Sequence, residues 1–143
     1  MAITQLSAFL ENTPGTLYQA VSAISDAGVN IRALSVADTR DFGILRLIVS
    51  DVEKTREALS DDTVITQTKV IAAKMNDEAG SLKKILKIIR DTGVNIEYVY
   101  AFTSPVAGSA YVVLRVDDEA GAEAVLAQNG IRTLSDEDMN GLL

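Results

Sequence analysis

Two short loops carry the residue types in this sequence that are best suited to binding chemistry. Residues 12–17 read NTPGTL and residues 77–82 read DEAGSL. An Asn amide both donates and accepts hydrogen bonds, and a glycine lets a ligand approach the backbone. If each loop opens a helix, the first-turn N–H groups favour a carboxylate. The same residues also suit a plain turn before a helix, so the motif alone leaves both interpretations open.

A second polar motif follows each loop at the same distance. Residues 28–31 and 93–96 both read GVNI, which places Asn30 before Ile31 and Asn95 before Ile96. Asn tolerates left-handed backbone geometry, so these amides can close the turn after a helix. They can equally contact a ligand, and one residue can do both.

The composition disfavours most forms of catalysis. The chain has no His and no Cys, so it lacks the commonest general base, thiolate nucleophiles and the usual ligands of transition metals. Carboxylates could still act as acid and base, but no pair is set apart by its spacing. We therefore expect no catalytic residue, no metal site and no cofactor.

Charge and hydropathy limit the class of partner. The net charge of −7 disfavours binding to nucleic acid. No window approaches the ~20 apolar residues of a membrane span, and the first residues lack the pattern of a signal peptide. The sequence thus predicts a cytoplasmic protein that associates with neither nucleic acid nor membrane.

The two loops belong to an internal repeat. When residues 12–31 are laid over residues 77–96, eight of the twenty positions are identical at one fixed offset. A repeat this long indicates two copies of one domain, not a solenoid of short units. We place the copies at residues 1–68 and 69–143. The identical residues in the first copy are Gly15, Leu17, Ile24, Asp26, Gly28, Val29, Asn30 and Ile31.

Periodicity predicts the same order of elements in both copies. Each begins with a β-length apolar run, at Ile3–Leu10 and at Lys69–Met75. A helix follows in each, with apolar residues spaced i, i+4, i+7, and Thr13 is the expected N-cap of the first. The expected stripes are Leu17, Val21 and Ile24 in the first copy and Leu82, Leu86 and Ile89 in the second.

The remaining elements complete a known arrangement. Two strands joined by a hairpin follow the helix, with turns at Asp41–Gly43 and Ser104–Gly108. Second helices are predicted at Val52–Leu59 and Glu119–Gln128, and short last strands at Val64–Thr68 and Ile131–Leu134. The order βαββαβ is ferredoxin-like. It predicts an α+β fold in which each copy has an antiparallel sheet with helices on one face.

The loop, the helix and the GVNI motif together resemble the ACT domain, a small module that binds amino acids in many biosynthetic enzymes. Residues 41–51, DFGILRLIVSD, are similar to those of free-standing tandem ACT proteins. The second copy departs from the family at its loop, where residues 76–80 read NDEAG and the family usually has an Asn or Asp before x-Pro-Gly.

The resemblance implies a small effector, commonly an amino acid, held where two ACT domains meet. Carried onto this sequence, the first copy contributes Asn12, Thr13, Pro14, Gly15, Thr16, Leu17, Asn30 and Ile31. The second copy contributes Asp77, Gly80, Ser81, Leu82, Asn95 and Ile96.

The resemblance also implies a role and an assembly. We expect a non-catalytic sensor that forms a homodimer and relays its ligand state to a partner. The alternative is a dedicated regulatory subunit of an amino-acid biosynthetic enzyme, similar to the small subunit of acetolactate synthase. A lone Asp-Phe-Gly at residues 41–43 is a hairpin turn, since no other kinase motif is present.

Overall fold

The computed structural model describes residues 2–59, 61 and 63–141. These residues form six strands and five helices. They are β1 (Ile3–Glu11), α1 (Thr16–Asp26), β2 (Ile31–Asp38), β3 (Phe42–Val49), α2 (Val52–Ala58), β4 (Val64–Asn76), α3 (Ser81–Arg90), β5 (Ile96–Thr103), β6 (Ser109–Val116), α4 (Glu119–Gln128) and α5 (Asp136–Gly141).

The chain divides into two compact units. One comprises Gln5–Thr68, and the other comprises residues from Lys69 onward together with the residues up to Thr4. Each unit has the predicted ferredoxin-like order of strands and helices. The limits of the ACT copies at residues 1–68 and 69–143 stay a prediction.

The first unit is built on the antiparallel pairing of β1 and β2 with β3. Leu6 on β1 lies opposite Leu47 on β3, and both side chains are fully buried. They pack in one core with Ala20 and Ile24 of α1. Because α1 also contacts α2, both helices cover the same face of this sheet.

The second unit repeats this plan with β4 and β5 paired to β6. Ala73 lies opposite Val112, and these residues share a core with Ile85 and Ile89 of α3. Contacts between α3 and α4 again place both helices on one face. The predicted α+β fold, with antiparallel sheets and helices on one face, is confirmed.

The helix stripes lie at a different phase from the one predicted. Ile24 and Ile89 are fully buried, but Leu17 and Leu82 are 42% and 39% exposed. The centres of the buried faces are instead Ala20 with Ile24 and Ile85 with Ile89, spaced i, i+4. Burial of all six stripe residues was therefore a wrong prediction, since Leu17 and Leu82 lie in the first turns of α1 and α3, outside the buried faces of these helices.

Two predicted strands take a different form. Residues 64–68 and 69–75, which were assigned to separate strands, form one continuous strand, β4. The expected strand Ile131–Leu134 is reduced to a single bridge between Ala73 and Thr133. That segment still pairs with β4, because Lys74 N donates to Arg132 O at 2.8 Å and Leu134 N donates to Ala72 O at 2.9 Å.

The second unit contains both the start of β1 and the helix α5. Asp136, the first residue of α5, accepts hydrogen bonds from the backbone N–H of Thr4 at 2.8 Å and from its hydroxyl at 3.0 Å. Lys69 Nζ contacts the same Asp136 carboxylate at 3.3 Å and the Thr4 hydroxyl at 2.9 Å. These hydrogen bonds join the start of β1 to the start of α5.

Candidate functional site

The first loop ends in a tight turn that sets the start of α1. Gly15 has φ 85° and ψ −11°, and the backbone N–H of Thr16 donates to the carbonyl of Thr13 at 3.3 Å. Pro14 followed by a left-handed glycine is the signature of a type II turn. The helix therefore begins after Gly15, and the predicted N-cap at Thr13 is wrong because Gly15 takes the capping position.

The second loop has the same geometry without the proline. Gly80 has φ 91° and ψ −12°, and the backbone N–H of Ser81 donates to the carbonyl of Glu78 at 3.3 Å. A side chain at either glycine would meet open space, but the left-handed backbone itself disfavours any residue with a Cβ. The two loops thus present the same backbone shape and differ in their side chains.

Asn12 joins the first loop to the neighbouring hairpin. Its backbone N–H donates to Asp41 O at 3.1 Å, and its amide Nδ2 donates to Thr39 O at 3.3 Å. Asp77 occupies the equivalent place, where its backbone N–H donates to Gly108 O at 2.9 Å. One donor of the Asn12 amide is therefore engaged, while its oxygen and second donor remain chemically suited to a ligand.

Asn30 and Asn95 lie where the second strand of each unit begins. The backbone N–H of Asn30 donates to Ser50 Oγ at 2.9 Å, and Ser50 N donates back to Asn30 O at 2.9 Å. Asn95 exchanges equivalent bonds with Asp117, at 3.0 and 3.2 Å. Gly28 and Gly93 precede them with φ of 76° and 78°, the left-handed geometry that commonly ends a helix.

The loop and the GVNI motif of one unit lie at opposite ends of its sheet. Glu11, which precedes the first loop, pairs with Phe42 at the start of β3. Ile31, which follows Asn30, pairs with Val49 at the other end of β3. Strands rise about 3.4 Å per residue, so these ends are roughly 24 Å apart. The structure therefore does not bring the two predicted groups together within a single unit.

The second unit also has a cleft that the sequence did not indicate. Its volume is about 480 Å³, and it lies between β4, the first turns of α3 and the segment around Ile131. Gly80 and Ser81 of the predicted site line it, together with Lys74, Lys84 and Arg132. A periodicity pattern could not place Arg132 beside β4, because that pairing joins residues far apart in the chain.

Arg32 and Asp138 have shifted pKa values. Burial lowers the pKa of Arg32, the residue after Ile31, although a guanidinium stays charged at any physiological pH. Hydrogen bonds from the Ser135 backbone and hydroxyl lower the pKa of the Asp138 carboxyl, and Arg132 adds to this effect.

Among the described residues, no group of three potential metal ligands converges. No helix in the described ranges is long and apolar enough to cross a membrane.

Comparison with known proteins identifies the family. A family profile described as "ACT domain pair" matches residues 1–143, the whole chain. The chain belongs to the ACT domain-pair family. A pair of ACT domains is a regulatory type of module, and the predicted membership is confirmed.

Solved structures support this assignment at the level of the fold. Protein BT0572 from Bacteroides thetaiotaomicron is 35% identical, with 98% of this chain and 96% of that chain covered and a TM-score of 0.89. The ligand-free regulatory subunit of aspartate kinase from Thermus thermophilus is 13% identical, covers 87% and 91% of the two chains, and has a TM-score of 0.66. The corresponding subunit from Thermus flavus is 15% identical over 86% and 88%, with a TM-score of 0.60. No protein of curated function matches the chain significantly.

Proposed function

We propose that this ACT domain pair is a non-catalytic sensor that binds a small effector, an amino acid, at an interface between ACT domains. The observation that supports it most directly is the separation of the two predicted groups. The loop at Asn12 and the motif at Asn30 lie roughly 24 Å apart in one unit, far beyond the span of an amino acid. If both contact one ligand, they must come from different domains.

The chemistry of the first loop fits the charged head of an amino acid. The Asn12 amide supplies an acceptor for an ammonium group and a donor for a carboxylate. The left-handed turn at Gly15 leaves the backbone open to a ligand, since nothing lies within 4 Å of a Cβ built there. The start of α1 contributes the positive end of a helix dipole.

Such a site would act by shifting a population of conformations. A ligand that contacts two domains binds the arrangement in which they meet more tightly, and it stabilises that arrangement by its differential affinity. A partner that distinguishes the arrangements then responds to the concentration of the amino acid.

The substitution Asn12→Ala tests the proposal. A thermal-shift screen of the twenty amino acids first identifies the effector, because a ligand at about 100 times its dissociation constant adds roughly 2.7 kcal/mol of stability. Calorimetry should then show that Asn12→Ala weakens binding by roughly 1–3 kcal/mol, the cost of leaving buried polar groups unpaired.

Asp77→Ala is the matched control, because Asp77 occupies the same place in the second copy but repels a carboxylate. It should weaken binding less than Asn12→Ala does. The proposal fails if no amino acid binds, or if the ligand is found far from both Gly15 and Gly80.

A second candidate function is that of a regulatory subunit that binds an enzyme. The Thermus structures of the same fold are regulatory subunits of an enzyme, which supports a role as a regulatory subunit of a biosynthetic enzyme. Co-purification with a larger catalytic chain would favour that role over a free-standing sensor.

A further inference from the structure

The first unit leaves apolar side chains uncovered along the edge strand β2. Leu34 and Val36 are exposed, yet they lie opposite Leu47 and Leu45, which pack in one core with α1. Residues directly opposite each other on paired strands share a face of the sheet. Leu34 and Val36 are therefore on the face that the helices cover, at an edge that the helices do not reach.

One flank of α1 extends this apolar edge. The opposite flank faces α2, because Gln19 lines a cavity together with Ala58 of α2 and Leu10 of β1. Since β1 and β2 lie on opposite sides of β3, the remaining flank of α1 is turned toward β2. At about 3.6 residues per turn, that flank carries Leu17, which is exposed, and Val21, which is half-buried. The first strip is thus formed by Leu17, Val21, Leu34 and Val36.

The second unit has an apolar strip at matching positions of the repeat. Val99 on the edge strand β5 is exposed and lies opposite the buried Leu114. On α3, Leu82 is exposed and Leu86 is half-buried. The second strip is formed by Leu82, Leu86 and Val99, the equivalents of Leu17, Val21 and Leu34. Contiguous exposed apolar side chains of this kind mark interaction surfaces.

The two strips differ in the charge at their margin. Lys83, Lys87 and Arg90 line a groove on α3 together with the leucines of the second strip. Arg90 contacts the neighbouring Asp91 at 2.9 Å, whereas neither lysine has an acidic partner in the part of the chain that the structure describes. The equivalents of these three cations on α1 are the uncharged Tyr18, Ser22 and Ser25.

We propose that the first strip of one copy of this chain packs against the second strip of another copy. Pairing two second strips would bring the cations of one α3 against those of the other, and like charges face to face oppose association. Pairing two first strips would leave both second strips in water. Unlike pairing covers both kinds of strip without that repulsion. It also brings the α3 cations toward Tyr18, whose 76% exposed ring is a favourable contact for a cation.

Crosslinking of single cysteines tests which strips meet, because the chain has no Cys of its own. Ser22→Cys and Lys87→Cys mark equivalent positions near the middle of α1 and α3. Each variant expressed alone, and the two co-expressed, are treated with a short bismaleimide crosslinker and resolved on a denaturing gel. Co-expression should give a product of twice the chain mass, and either variant alone should stay at the chain mass.

Ser22→Cys co-expressed with Ala124→Cys is the matched control, because Ala124 is exposed on α4 and outside both strips. This pair should give no product, and thermal unfolding checks that each variant folds. The inference is overturned if no pair crosslinks, if either variant alone crosslinks as well as the co-expressed pair, or if the control crosslinks equally.

The proposed pairing also makes the cost of Leu82→Ala depend on protein concentration. Leu82 is in contact with water in the dissociated chain and covered in the assembly, so the loss of stability should grow as the concentration rises. A cost that stays constant while the chain associates would contradict the pairing. Both measurements are made without an amino acid, so this inference and the proposed effector site can fail separately.

Discussion

At the scale of single residues, Asp138 and Ser135 hold the start of α5 through reciprocal hydrogen bonds. The Asp138 carboxylate accepts from the Ser135 backbone N–H at 2.9 Å and from its hydroxyl at 3.1 Å. The Asp138 N–H in turn donates to Ser135 Oγ at 3.1 Å. This is the arrangement of a capping box, in which Ser135 caps the helix. The bonds favour the ionised carboxylate, which explains its lowered pKa.

The lowered pKa of Asp138 predicts that acid loosens α5. A carboxyl whose pKa is lower in the folded state stabilises the fold above its ordinary pKa, and that contribution is lost as the pH falls through the lower, folded value. The loss should begin below about pH 4. NMR of the Met139 methyl group, buried at neutral pH, should report exposure in acid. Asp138→Asn should show partial exposure already at pH 7, and Asp91→Asn, an exposed control, should not.

At the scale of elements, the packing of α3 separates residues that look alike in the sequence. Ile89 is fully buried in the core of the second unit, whereas Leu82, at the start of the same helix, is 39% exposed. Both belong to the apolar stripe read from the sequence. The cost of removing each side chain should therefore differ sharply.

Ile89→Ala should lower the free energy of unfolding by about 2–5 kcal/mol, because it removes buried methyl groups and leaves a cavity. Leu82→Ala should cost less than about 1 kcal/mol, since that side chain is already in contact with water and Ala favours the helix. Urea denaturation of both variants measures the difference. Equal losses would show that Leu82 is buried in solution, as in an assembly.

The elements also show what local sequence could predict. The helix α4 follows from short-range chemistry, and its bounds, Glu119–Gln128, were predicted correctly. The phase of the helical stripes and the reduced strand at Ile131 depend on packing and pairing between distant segments, which are tertiary properties. The cleft in the second unit was missed for the same reason, because the segment around Ile131 meets β4 only through long-range pairing.

At the scale of the whole molecule, uncovered apolar side chains on two sheet edges support the proposed homodimer. On β2, Leu34 and Val36 are 47% and 46% exposed, although the residues opposite them, Leu47 and Leu45, are fully buried. On β5, Val99 is 41% exposed opposite the buried Leu114. Proteins seldom leave such edges uncovered, so we propose that a second copy covers at least one of them.

Val36→Lys should convert the proposed dimer to a monomer, because it places a charge within the apolar contact. Light scattering at high micromolar concentration measures the mass. Val106→Lys is the control, since Val106 is 56% exposed in the β5–β6 turn and away from the strands. A wild-type mass of 15.3 kDa under these conditions would contradict the dimer.

The hydrogen bonds between Thr4 and Asp136 limit how the chain can be divided into fragments that fold. A fragment that starts at Lys69 would lack Thr4, which donates two hydrogen bonds to the first residue of α5. Truncation at the repeat boundary therefore removes part of the unit that it is meant to isolate. Circular permutation suits this topology better, because it keeps Thr4 and Asp136 in one chain. New ends opened in an exposed hairpin turn would leave both the bond to Asp136 and the two cores intact.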